Sequence, residues 1–221
     1  MIKNNNDRMN WKQDYITSIE PILMKDPLLE LLGQANGPIP YFYEEAVKLA
    51  GHSCGAVSGA WNITRLALKS LYAEEIPVRG QIKVLAPGAE GEGTVGVLGE
   101  VITFITGSAP KTGFQGGGFG KNYIRRDLMI YAEKNTNTAP SEMVWVFERL
   151  DNNKRVGIKY NTSKILPQVT AEWNKLSSKI VNGVATHEET DAWVKYWNDR
   201  VIFVFENADS LDGLFTIEQL S

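Results

Sequence analysis

The stretch from Gly55 to Tyr72 constrains the fold more than any other part of the chain. Ala56, Ala60, Ile63, Ala67 and Leu71 recur at helical spacing, which places them on one face of a helix of about five turns with small residues at its start. Such a stripe must be buried against another layer, so the rest of the chain has to supply that layer. Upstream, Tyr43, Ala46, Val47 and Ala50 form a second, shorter apolar face, and Gly51 is suited to end that helix. His52-Ser53-Cys54 is thereby predicted to be a tight connection between two helices.

The remaining elements follow from periodicity and breakers. From about Trp11 to Leu32, Tyr15, Ile19, Ile22 and Leu23 suggest helix, interrupted near Pro21 and Pro27. Gly33 to Pro40 reads as a loop, and Ile82, Val84 and Ala86 alternate as in a half-buried strand. The run Thr94 to Thr106 is rich in Val, Ile, Phe and Thr, which favours a long central strand and also admits a helix around Val97 to Ile105. Gly107 to Gly120 carries six glycines, a loop composition, and a helix is predicted from Asn122 to Lys134. Met143 to Arg149 and Arg155 to Tyr160 read as strands joined by turn residues, and two or three helices are expected from Gln168 onward. These elements make an α+β protein. The polar, asparagine-rich residues 1–10 are expected to be a flexible terminus, 11–162 a core, and 163–221 a helical C-terminal extension packed on it.

Composition removes several function classes. The formal charge is -3, with no excess of Lys and Arg, so the electrostatic footprint of nucleic-acid binding is missing. No apolar run reaches the roughly 20 residues a membrane span requires, and the first residues lack the apolar stretch of a secretion signal. A cytoplasmic location is expected, in keeping with a single cysteine, Cys54, that cannot form an intrachain disulfide. With Cys54, His52 and His187 as the only Cys and His residues, a metal site must recruit carboxylates, main chain, water or a second copy of the chain.

Two segments could carry chemistry. Cys54 sits where a helix begins, and unpaired N–H groups there favour a thiolate. His52, two residues earlier, could reach the same ion, and a thiolate with an imidazole suits zinc or another borderline first-row transition metal. A metal-free enzyme with Cys54 as nucleophile is an alternative reading. So is a small buried cysteine beside a satisfied histidine, with no site at all. The second segment is Gly113-Phe114-Gln115-Gly116-Gly117-Gly118-Phe119-Gly120-Lys121-Asn122. Its amides at Gly117 and Gly118, with Lys121, Arg125 and Arg126, are predicted to cradle a small anionic ligand, phosphate or carboxylate, ahead of the expected helix. A flexible turn beside solvated arginines is the plainer alternative. Glu90, Glu92 and Glu100 are candidate carboxylates for proton transfer, although glutamates are usually solvated. The tryptophans, notably Trp61, Trp145, Trp173, Trp193 and Trp197, are expected in core or interface.

Gly51-His52-Ser53-Cys54-Gly55-Ala56-Val57, followed by a small-residue helix, resembles the FmdE-like family, which takes its name from a component of formylmethanofuran dehydrogenase and has a Gly-His-x-Cys-Pro-Gly signature. The resemblance continues through Val101 to Gly107, Gly118 to Asn122 and the Met143 to Tyr160 hairpin, about residues 40 to 162 in all. It implies helices packed on a mostly antiparallel sheet, a homodimer, and a metal pocket to which His52 and Cys54 contribute. Gly55 stands where the signature has proline, Val97 lies near the position of the family's second cysteine, and no cysteine follows Cys54 to build the C-terminal zinc finger of some members. The residues admit an enzyme as well as a non-catalytic accessory protein.

Overall fold

The structure, a computed structural model, describes residues 10–133, 143–165 and 170–220. The terminus expected to be flexible lies outside them except for residue 10. In chain order the elements are α1 (Tyr15–Ser18), β1 (Ile22–Met24), α2 (Pro27–Leu31), β2 (Ile39–Tyr41), α3 (Tyr43–Ala50), α4 (Gly55–Tyr72), β3 (Ile82–Ala86) and α5 (Val95–Thr106). A short 3-10 turn at Lys121–Tyr123 leads to β4 (Met129–Tyr131), β5 (Val144–Arg149) and β6 (Arg155–Tyr160), then α6 (Thr170–Val181), α7 (His187–Asn207) and β7 (Phe215–Leu220).

The fold is α+β, with helices against a mostly antiparallel sheet of order β4-β3-β5-β6-β7. Only β3 and β4 run parallel among the described strands of that sheet. The hairpin expected around residues 150–154 joins β5 to β6, and its register aligns Phe147 with Val156 on one side and with Val84 on the other. These three residues are fully buried, whereas Lys83, Glu148 and Lys159 on the outer face are half-buried. α4 lies at the centre, packed on β6, α5 and α7. It is therefore buried on nearly all sides rather than along one stripe, including the polar Ser58, Asn62 and Thr64. Each of these satisfies its side chain on a carbonyl four residues back, at 2.8 to 3.0 Å, so none of the three is left without a partner, whereas the buried Trp61 Nε1 of the same helix has none among the described residues.

Four expectations are corrected. Of the strand and the helix admitted for residues 94–106, the structure has the helix, α5, in place of the favoured central strand: Val95, Leu98, Val101, Ile102 and Ile105 are buried at helical spacing, and Gly107 ends the helix at φ 70°. The helix predicted over 122–134 is absent from its described part. Asp127 takes φ 61°, which breaks a right-handed helix, and the chain instead extends into β4. The N-terminal helix is reduced to α1 and α2, because Ile22 and Leu23 pair with Tyr41 and Pro40 as β1–β2. The C-terminal segment is helical over α6 and α7 and adds β7, which pairs along the whole length of β6.

Candidate functional site

The connection between α3 and α4 is held from several sides. Gly51 turns the chain at φ 76°, and Cys54 is extended at the start of α4, the place expected for it. Ser53 is buried; its hydroxyl shares a 2.7 Å hydrogen bond with Tyr43 Oη, and its carbonyl accepts from Trp197 Nε1 at 2.7 Å. Tyr160 Oη donates to the Gly55 carbonyl at 3.0 Å. Burial pushes the phenols of Tyr43 and Tyr160 well above the usual tyrosine range, so both stay protonated at neutral pH.

His52 is exposed, with Nδ1 3.2 Å from the Ala50 carbonyl oxygen and its ring tilted against Trp197. Trp197 belongs to a cluster with Trp173 and Trp193 where α6 meets α7. Cys54 is half-buried, and His187 is an exposed first-turn residue of α7. Among the described residues no three His, Cys, Asp or Glu side chains converge as a metal would require. Glu90 and Glu100 are exposed beside Tyr131, whose phenol is pushed up to about 12 by burial first and then by their charges. Glu92 accepts from the Ala89 amide at 3.2 Å.

The glycine segment behaves differently from its expectation, because among the described residues only the 3-10 turn at Lys121–Tyr123, and no α-helix, follows it before β4. Gly117 N donates to the Tyr123 carbonyl, Arg125 N donates to the Gln115 carbonyl, and Gly116 bridges to Ile124. Gly116 has no room for a side chain, since a Cβ there would lie 1.9 Å from the Tyr123 carbonyl oxygen. Gly118, Lys121 and Arg126 are exposed, and Arg126 pairs with Asp127.

Arg125 turns inward instead, and here the structure assembles residues that lie far apart in the chain. Asp26, 1% exposed, caps α2 by accepting from the amides of Leu28 and Leu29. The same carboxylate accepts from Arg125 Nη2 at 2.5 Å and Arg79 Nη1 at 3.2 Å. Arg79 also donates to the Phe104 and Ile105 carbonyls at the end of α5. Burial, and then the nearby charge of Arg79, pull the Arg125 guanidinium below its ordinary value. Two guanidinium groups on one carboxylate make a formal charge of +1, offset in part by the Phe104 and Ile105 carbonyls.

That charge faces a cleft of about 600 Å³ lined by Leu28, Arg79, Gly113, Phe114, Gln115 and Arg125, among others. Of the residues expected to hold an anion, Arg125 lines it, whereas Gly117, Gly118, Lys121 and Arg126 lie outside the lining. Sequence reasoning missed Asp26 and Arg79. The Asp26-Pro27 pair does carry a helix-start signal, cap followed by proline, but nothing local announces the ion pairs. No family model matches the chain, and no curated protein matches it.

Proposed function

We propose that the protein binds a small anionic ligand in the cleft between α2 and the glycine segment, on Arg79 and Arg125. One observation carries this: a buried carboxylate, Asp26, shared by two arginines that both line an open cleft. An excess positive charge at the wall of a cleft is costly where it is partly desolvated, and an anion entering the cleft would balance it. Guanidinium forks suit the paired oxygens of phosphate and carboxylate.

The test is calorimetric titration with inorganic phosphate, paired with Asp26→Asn. Asparagine keeps the α2 cap but removes the opposing charge. Wild type should bind phosphate with a Kd on the order of 1 mM, and the variant should bind about tenfold tighter. In phosphate-free buffer the variant should lose about 3 kcal/mol of stability, partly restored by phosphate. Wild type and variant both indifferent to phosphate would refute the proposal.

A second proposal concerns a transition metal, zinc or a similar ion, held by His52 and Cys54 in a homodimer, as the FmdE-like resemblance implies, with the cytoplasmic location expected from composition. His52 favours it. With Nδ1 facing the Ala50 carbonyl, Nδ1–H is the tautomer that bond selects, and Nε2 keeps its lone pair for an ion. The described residues supply two donors, so water or a second copy must complete the set. Mass spectrometry of the untagged protein should find near-stoichiometric metal that is lost in both His52→Ala and Cys54→Ala. A wild type that stays metal-free after exposure to zinc, nickel and iron would rule the pair out.

A further inference from the structure

We propose that the ligand of the Arg79–Arg125 cleft is an aryl anion, a flat ring seated on Phe114 with its phosphate or carboxylate group on the two arginines. This rests on the anion reading above and adds the body of the ligand. Phe114 is 93% exposed, the most exposed large apolar side chain among the described residues, yet it lines the cleft together with Leu28. Leaving a phenyl ring in water is unfavourable, and a second ring covers it best by offset or edge stacking.

The ring is carried on a pinned segment. The Gly116–Ile124 bridge and the Arg125 amide bond to Gln115 fix one side, and Gln115 Nε2 donates to the Lys111 carbonyl on the other. Gly113 at φ 90° and Gly116 at φ 81° set the turns that flank Phe114. A second aromatic, Phe119, is 63% exposed and folds its ring over Gly117, within 2.5 Å of where a Cβ would stand. Leu28 is 3.5 Å from that same point. Phe119 lies outside the lining, so the cleft has a cationic floor of Arg79 and Arg125 and an apolar rim of Phe114 and Leu28, which fits a ligand that is charged at one end and flat at the other.

Phenyl phosphate and inorganic phosphate, titrated calorimetrically into wild type and Phe114→Ala, separate the possibilities. Phe114 is too exposed for its loss to unfold the chain. In wild type, phenyl phosphate should bind about tenfold tighter than inorganic phosphate, the gain expected from covering part of two rings. Phe114→Ala should erase that advantage and leave inorganic phosphate binding unchanged. Equal affinities for the two probes in wild type would overturn the aryl inference while leaving the anion reading intact. Failure of both probes to bind would overturn the anion reading itself. A Phe114→Ala variant that keeps the tenfold preference but changes its sedimentation would place Phe114 in an interface between copies and overturn its role in the cleft.

Discussion

Gly59 shows how a single residue fixes the relation between the central helix and the sheet. A Cβ at this position would stand 2.2 Å from Cε1 of Tyr160, so the missing side chain is the slot in which that ring lies. Tyr160 is committed there: its hydroxyl bonds the Gly55 carbonyl and its ring stacks on Phe215 at 4.7 Å and 7°. Alanine is intrinsically better than glycine in a helix by up to about 1 kcal/mol. Overpacking a well-filled contact costs about 1–3 kcal/mol. The clash is therefore expected to win, and Gly59→Ala should be destabilised by about 1–2 kcal/mol in urea denaturation. Gly55→Ala is the control, because its nearest contact is 3.9 Å away, and it should stay within about 0.5 kcal/mol of wild type. A Gly59→Ala protein as stable as wild type would show that Tyr160 can leave its slot at no cost.

At the level of elements, what was legible is what local spacing encodes. α3, α4, β3 and the β5–β6 hairpin match their sequence patterns because each buries one regular face and ends at its own turn residues. The segment that became α5 is rich in β-branched residues, and its helical state is decided by packing: a Cβ at Gly96 would lie 2.5 Å from the Glu90 carbonyl oxygen, and one at Gly99 would lie 2.2 Å from Tyr131 Oη. β4 is three residues long and exists through its parallel pairing with β3, a partner more than forty residues earlier. β7 has four exposed residues in a row, so no alternation marks it, and only β6 makes it a strand. The cleft failed to show for the same reason. Arg125 was visible as a cation near glycines, but its carboxylate lies 99 residues away and the second arginine 53 residues from that carboxylate. Ion pairs of such separation leave no periodic trace in a sequence.

For the molecule as a whole, the tyrosines make stability depend on pH at the alkaline end. Tyr43 in α3 and Tyr160 in β6 sit in the core, Tyr131 in β4 is half-buried against it, and burial raises all three phenols. In the unfolded chain each would ionise near 10.0, whereas Tyr131 in the folded protein holds its proton up to about 12 and the other two hold theirs more tightly still. Below pH 10 both states carry the proton, so these groups make no pH-dependent difference and the native packing is fully favoured. Above it the unfolded state gains by ionising and the folded state does not, so stability falls as pH rises. The urea midpoint should therefore be level between about pH 7 and 9 and decline steadily beyond about 10. Lysines titrate in the same range, and burial raises Tyr15, Tyr41 and Tyr72 as well, so Tyr131→Phe supplies the comparison: it lacks one raised phenol and should show a shallower decline between about pH 10 and 12. Identical slopes for variant and wild type would mean that Tyr131 ionises as freely in the folded protein as in the unfolded one, and that the packing of its hydroxyl over Gly99 in α5 does not persist in solution.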